Sequence, residues 1–143
     1  MREKALHLLG LMRRANAIQI GEDKAGAAVH GGKARLLLLA SDASDNARHR
    51  AEQFVNGRRT LLLELPFTKA ELAGALGVSG GAMAALTDLG FAKALMDILA
   101  AMQPERYAAD AEEIARRTEK AQRRKKETAA KRKMSTGKRR TKE

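Results

Sequence analysis

The residues of this 143-residue chain best suited to chemistry are its lysines and arginines, because they are numerous and unevenly spread. Residues 104–143 carry 15 Lys and Arg against 7 Asp and Glu, whereas residues 1–103 carry 13 against 10. Cations at this density neutralise phosphates, so we expect a polyanionic partner, of which nucleic acid is the commonest. The candidate phosphate contacts of this basic tail are Arg116, Arg117, Arg123, Arg124, Lys125, Lys126, Lys131, Arg132 and Lys133.

The basic tail has two other conceivable roles. A solvated charged tail that aids solubility remains an alternative. Binding to an anionic membrane surface is disfavoured, because the tail lacks the Trp, Phe and Leu that interfacial helices insert.

The composition of the tail favours a helix from Pro104 to about Lys133, because Ala, Glu, Arg, Lys and Gln dominate there, whereas residues 134–143 are expected to be disordered.

The sequence offers no set of residues for catalysis or metal binding. There is no cysteine, and the three histidines are far apart. The segment 77–81 has a serine between glycines but not the G-x-S-x-G spacing, and no phosphate-binding loop motif is present. We therefore expect no enzyme activity, no cofactor, no metal and no small-molecule substrate. With no long apolar run and no secretory signal, a cytoplasmic protein without a membrane span is expected.

Aromatic residues make up only 3% of the chain. Modules that stack bases on aromatic platforms are therefore poor candidates. If the chain binds RNA, it must do so through backbone groups, charge and aliphatic side chains.

Helical and apolar segments alternate along residues 1–103, in the order α-β-α-β-α-β-α-β-α. Continuous apolar runs such as RLLLLA and TLLLEL are typical of strands buried on both faces. This order predicts a layered α/β fold followed by the basic tail of residues 104–143. Strands are predicted at 17–20, 35–40, 60–65 and 82–86, and helices at 2–15, 22–30, 43–55, 69–76 and from about 88 to 102.

Four basic residues outside the tail are weaker candidates. Arg13 and Arg14 could bind phosphate, although the end of a solvated helix explains them as well. Lys33 and Arg35, at the start of the first long strand, are further plausible phosphate contacts.

Three stretches together resemble a known family. They are residues 8–15 (LLGLMRRA), 36–44 (LLLLASDAS) and 87–95 (TDLGFAKAL). Their order and spacing resemble the bacterial YlxQ-like branch of the ribosomal protein superfamily that binds kink-turn RNA. The resemblance covers about residues 3–99, and the tail lies outside it.

The resemblance implies a three-layer α/β/α sandwich around a mixed four-stranded sheet, and RNA binding without catalysis. It also implies that two loops at one end of the sandwich form the RNA surface. The residues at the corresponding positions here are Gly21, Glu22, Asp23 and Lys24 in one loop, and Val78, Ser79, Gly80, Gly81 and Ala82 in the other.

The chemistry of these two loops agrees with the role that the resemblance implies. Gly21 allows a sharp turn, and the free N–H groups at the start of the following helix accept anions, with Lys24 adding charge. Gly80 and Gly81 offer bare backbone to a nucleotide, and Val78 or Met83 could pack on a base. An ordinary helix start explains the first loop equally well.

The chain departs from the superfamily pattern at two positions of the first loop. Asp23 stands where an amide or basic residue is favoured, and Ala27 stands where a lysine is usual. The expected partner is therefore a structured RNA, either a kink-turn or a related shape, such as ribosomal RNA or RNA in a ribosome. A ribosome- or protein-binding adaptor on the same scaffold, with a tail of non-specific polyanion affinity, is the alternative.

Overall fold

The computed structural model describes the backbone of residues 1–141 and the side chains of residues 1–133. In this described part of the chain, five helices alternate with four strands in the predicted order, and a sixth helix, which contains the basic tail, follows. Their bounds are α1 Arg2–Arg14, β1 Ile18–Ile20, α2 Glu22–His30, β2 Leu36–Leu39, α3 Asp45–Val55, β3 Leu61–Glu64, α4 Lys69–Leu76, β4 Met83–Leu86, α5 Leu89–Met102 and α6 Pro104–Thr141.

The four strands form one mixed sheet in the order β1-β4-β2-β3. Strands β2 and β3 are parallel, with Leu36 opposite Leu61, whereas β4 is antiparallel to both of its neighbours. The carboxyl ends of β1, β2 and β3 therefore lie at the end of the sheet where β4 begins. The predicted α/β class and the mixed four-stranded sheet are both confirmed.

Helices cover both faces of the sheet. Successive side chains of a strand point to opposite faces, so Leu36 and Leu38 enter one core while Leu37 and Leu39 enter the other. The first core is built with residues of α1, α4, α5 and α6, and the second with residues of α2 and α3. Burial on both faces explains why β2 is leucine at every position.

Side-chain caps fix the starts of three helices. Thr68 and Glu71 form a capping box at the start of α4, and Asp88 caps α5 through the amide of Phe91. Helix α3 begins later than predicted, because its cap is Ser44, whose hydroxyl accepts from the amide of Ala47 at 3.2 Å. The predicted start at residue 43 would place the cap at residues 41 and 42.

The beginning of α6 belongs to the core, although composition places the boundary of the tail at Pro104. Tyr107 and Ile114 are 1% and 0% exposed and lie in the first core. The Tyr107 hydroxyl donates to the Glu64 carbonyl oxygen at 2.6 Å. Two large side chains seven residues apart lie on the same face of a helix, so a segment poor in apolar residues can still dock. The basic composition therefore begins at Pro104, whereas the packed core extends into α6 at least as far as Ile114.

Charge also attaches α6 to the sandwich. Glu64 forms ion pairs with Arg48 of α3 and Arg106 of α6. Burial alone would raise the pKa of the Glu64 carboxyl, but hydrogen bonds and charges from both arginines outweigh burial and hold that pKa below its usual 4.5.

The far part of α6 continues as helix to Thr141, beyond the predicted end near Lys133. Disorder was the expectation for residues 134–143. The side chains of these residues and the backbone of residues 142 and 143 lie outside the described part of the chain. Within residues 1–141, none of the helices combines the length and apolar character needed to cross a bilayer.

Candidate nucleic-acid interface

The two glycine-containing loops lie side by side at one end of the sheet. The Gly21 amide, just after β1, donates to the carbonyl oxygen of Met83 in β4 at 2.9 Å. A Cβ atom on Gly81 would lie 3.4 Å from Cγ2 of Ile20. Segments from distant parts of the chain are thus joined into one surface, which we call the loop face (residues 21–24 and 78–82).

The first half of the loop face is the start of α2. Gly21 has a φ of +103°, which L side chains rarely adopt, and a Cβ there would meet no atom within 4 Å. No side chain caps this helix. The amides of its first turn lack intrahelical acceptors, so they are available to an anion.

The two carboxylates of this turn differ in their environments. Glu22 pairs with Arg50 of α3, with Nε and Oε1 3.1 Å apart, so its charge is compensated by a neighbouring helix. Asp23 and Lys24 are exposed beside it. The arginine partner was not predicted, because only the packing of α3 beside α2 brings Arg50 to this position.

The second half of the loop face follows α4. Ser79, Gly80 and Gly81 are exposed, and a Cβ on Gly80 would meet no atom within 4 Å. Val78 is half-buried against the first core and Ala82 against the second. The expectation that residue 83 could pack on a base is wrong, because that methionine is only 3% exposed and its side chain fills the second core.

Arg13 holds the beginning of this second loop. Its Nη1 donates to the carbonyl oxygens of Leu76 and Gly77 at 2.6 and 2.9 Å. These are the last carbonyls of α4, which lack intrahelical donors, so Arg13 acts as a C-terminal cap supplied by α1. Arg14 is exposed and faces the shallow groove between α1 and α4.

The remaining predicted contacts are not part of the loop face. Lys33 is exposed in the connection before β2, at the opposite end of the sheet. Arg116 and Arg117 of α6 pair with Glu113. The predicted tail contacts from residues 123 to 133 are all exposed on α6. Among the residues whose side chains are described, no cluster of His, Asp or Glu could hold a metal ion.

Comparison with known proteins places this arrangement in a family, although no family model matches the chain. RNA-binding protein YlxQ of Bacillus subtilis is 35% identical over 96 residues, which are 64% of this chain and 91% of the relative. RNA-binding protein YlxQ of Enterococcus faecium is 30% identical over 98 residues, 68% of this chain and 93% of the relative.

Solved structures share the fold. A Bacillus halodurans protein of unknown function matches with a TM-score of 0.60 and 27% identity, over 64% of this chain and 92% of its own. The Giardia lamblia 15.5kD RNA binding protein matches with a TM-score of 0.54 and 24% identity, over 72% and 84%. The two YlxQ proteins are covered almost end to end at 30% identity or more. The chain belongs to the YlxQ family.

Proposed function

We propose that this protein binds structured RNA, without catalysis, through the loop face, and that its preferred RNA is a kink-turn or a related bent shape, such as one in ribosomal RNA. The observation that carries the proposal is the pairing of two exposed loops at one end of the sheet. One presents free amides at the start of α2, and the other presents the bare backbone of Gly80 and Gly81.

The chemistry of the loop face suits an irregular RNA. Proteins recognise RNA mainly by shape, by contacts to phosphate and ribose, and by bases that have left the helical stack. Free amides suit a phosphate, and backbone without side chains lets an extruded nucleotide come close. Val78, half-buried beside Gly80, supplies an aliphatic surface for a base.

The charges near the loop face are compatible with a phosphate. Glu22 would repel one, but its pairing with Arg50 compensates its charge. Asp23 remains exposed, and Lys24 lies next to it. The cations of α6 supply affinity that depends on salt and is indifferent to sequence. The names of both YlxQ relatives as RNA-binding proteins support this reading.

The test compares two leucine substitutions at exposed glycines. Gly80→Leu places a bulky side chain in the loop face, whereas Gly74→Leu places the same side chain on α4. Both glycines have open space where a Cβ would be, and neither has a positive φ, so both variants should fold. Gly81 is unsuitable for this test, because its φ is +132° and any side chain there would strain the backbone. A loss of binding could then come from the strain and not from the blocked surface.

Fluorescence anisotropy would measure the Kd of each variant for a kink-turn RNA and for a straight duplex of the same composition. We expect Gly80→Leu to reduce the preference for the kinked RNA by about tenfold, or about 1.4 kcal/mol, and Gly74→Leu to retain it. Equal preference in both variants would contradict the assignment of the loop face. No preference in the unaltered protein would contradict the kink-turn proposal itself.

A further inference from the structure

A basic surface lies at the other end of the sheet from the loop face. It is an open groove of about 590 Å³ between the connections that precede β2 and β3 and the middle of α6. We call it the basic groove. Its cations are Arg35, Arg58, Arg59, Arg117, Lys120 and Arg124.

The topology of the sheet assembles the basic groove. Strands β2 and β3 are parallel and in register, so Arg35 just before β2 and Arg59 just before β3 lie at the same end. Residues 117, 120 and 124 of α6 have the spacing of one helical face. The Arg117 guanidinium donates to the Arg59 carbonyl oxygen at 2.9 Å, which fixes α6 against this end.

Two of the six cations have internal roles. Arg58 donates to the Val29 carbonyl oxygen at 3.0 Å and lies 3.0 Å from Nδ1 of His30, so it caps the end of α2. Arg117 pairs with Glu113 as well as with the Arg59 carbonyl. Both arginines therefore shape the groove as well as charge it.

The other four cations of the basic groove are Arg35, Arg59, Lys120 and Arg124. Within residues 1–133, no side chain or backbone group forms an ion pair or a hydrogen bond with the charged groups of these four side chains. None of the described residues that line the groove is Asp or Glu. A concave surface lined by one sign of charge concentrates its field and attracts ions of the opposite sign. In the empty groove the like charges of these side chains repel one another, and a bound polyanion relieves that repulsion.

We propose that the basic groove binds the phosphate backbone of a second RNA segment, so that the protein contacts RNA at both ends of its sheet. The choice of RNA as the polyanion rests on the proposed function. The position and charge of the groove do not depend on it.

The composition of the groove favours an RNA backbone over an acidic peptide. Five of the six cations are arginines, whose planar fork of donors matches two oxygens of a phosphate or a carboxylate at once. The apolar lining is only Val29, Ala34, Leu89 and Ala121, which gives an acidic peptide little to anchor on. A flat membrane surface cannot enter a concave site between α6 and the sheet.

The two RNA contacts would be separated by the length of the strands. Strand β2 has four residues, and at about 3.3 Å per residue it spans about 13 Å. A single bent RNA, or two strands of one junction, can therefore reach both the loop face and the basic groove. The protein would then hold two segments of a folded RNA at a fixed separation.

The test removes two unpaired cations of the groove and two elsewhere. The groove variant is Arg35→Gln with Arg59→Gln, and the control is Lys4→Gln with Lys69→Gln on α1 and α4. Each lowers the formal net charge from +11 to +9. None of the four side chains has a hydrogen-bond or ion-pair partner among the described residues, so neither variant should unfold at a lower temperature than the unaltered protein.

Anisotropy titrations with a labelled oligouridylate, which has no bend to recognise, would be repeated at increasing KCl concentrations. For single-stranded RNA, the slope of log K against log salt concentration falls in magnitude by about 0.7 for each phosphate contact that is removed. We expect the groove variant to lower the magnitude of this slope by roughly 1.4 and the control to leave it unchanged. Both variants should keep the preference between kinked and straight RNA, so a failure of the loop face would be seen separately.

Three outcomes would overturn the proposal. Equal loss of slope in both variants would mean that only net charge matters. No loss in either would mean that the groove does not contact phosphate. Weaker binding of polyglutamate by the groove variant, with unchanged oligouridylate binding, would assign the groove to an acidic protein segment.

Discussion

Replacement of Tyr107 by alanine should remove a large part of the stability of the whole domain, not only of the basic tail. The ring is 1% exposed, and its hydroxyl donates to the Glu64 carbonyl oxygen at 2.6 Å. Truncation of a buried aromatic side chain costs about 3–5 kcal/mol, and the total stability of a domain is about 5–15 kcal/mol. Tyr107→Ala should therefore leave a marginally stable protein.

Tyr107→Phe separates the hydrogen bond from the packing of the ring. This variant keeps the ring in place and leaves the Glu64 carbonyl without its donor, so we expect a loss of about 1–2 kcal/mol. Urea unfolding followed by far-UV circular dichroism measures both variants. The substitutions should lower the midpoint with little change in the slope against urea concentration.

The chain itself supplies a second probe of this docking. It has one tyrosine and no tryptophan, so intrinsic fluorescence reports the environment of Tyr107 alone. If α6 unfolds with the sandwich, fluorescence and circular dichroism should give coincident transitions. A loss below about 1 kcal/mol for Tyr107→Ala, or an earlier fluorescence transition, would refute the inclusion of α6 in the cooperative unit.

Two further predictions concern the charges and caps that hold the sandwich. The pKa of Glu64 is lowered in the folded state, so its contribution to stability is present above the usual 4.5 and is lost as the pH falls below it. Glu64→Gln, which cannot ionise beside Arg48 and Arg106, should lower the free energy of unfolding by about 1 kcal/mol at neutral pH. The variant should also lose less stability than the unaltered protein as the pH falls. Urea unfolding at a series of pH values measures both effects, and the same loss of stability in acid for both proteins would contradict this. Thr68→Ala removes the capping box with Glu71 and should cost about 1 kcal/mol, measured by urea unfolding; no measurable loss would mean that the cap is dispensable.

Much of the fold could be predicted because its signals are local. Strands β2, β3 and β4 lie in short apolar runs, and Thr68 with Glu71 indicates the start of α4 within four residues. The start of α3 was misplaced because Asp42 has a distant partner. Its carboxylate accepts from the Lys69 amide at 2.8 Å, and nothing near Asp42 in sequence indicates that contact.

The candidate sites were harder to predict because they depend on packing. The loop face was expected from family resemblance, and its RNA binding stays a prediction. The pairing of Glu22 with Arg50 needs the packing of α2 against α3. The basic groove needs the parallel pairing of β2 with β3, since Arg35 and Arg59 are separated in sequence and meet only at that end.

The contacts between α6 and β3 have a consequence for self-association. Strand β3 is at an edge of the sheet, and its sequence LLLE is strongly apolar. Exposed apolar edge strands pair with other chains, which leads to aggregation. Helix α6 occupies carbonyl groups at both ends of this strand, with Tyr107 at Glu64 and Arg117 at Arg59. The helix that carries most of the net positive charge therefore also restrains both ends of the edge strand, which limits its pairing with another chain.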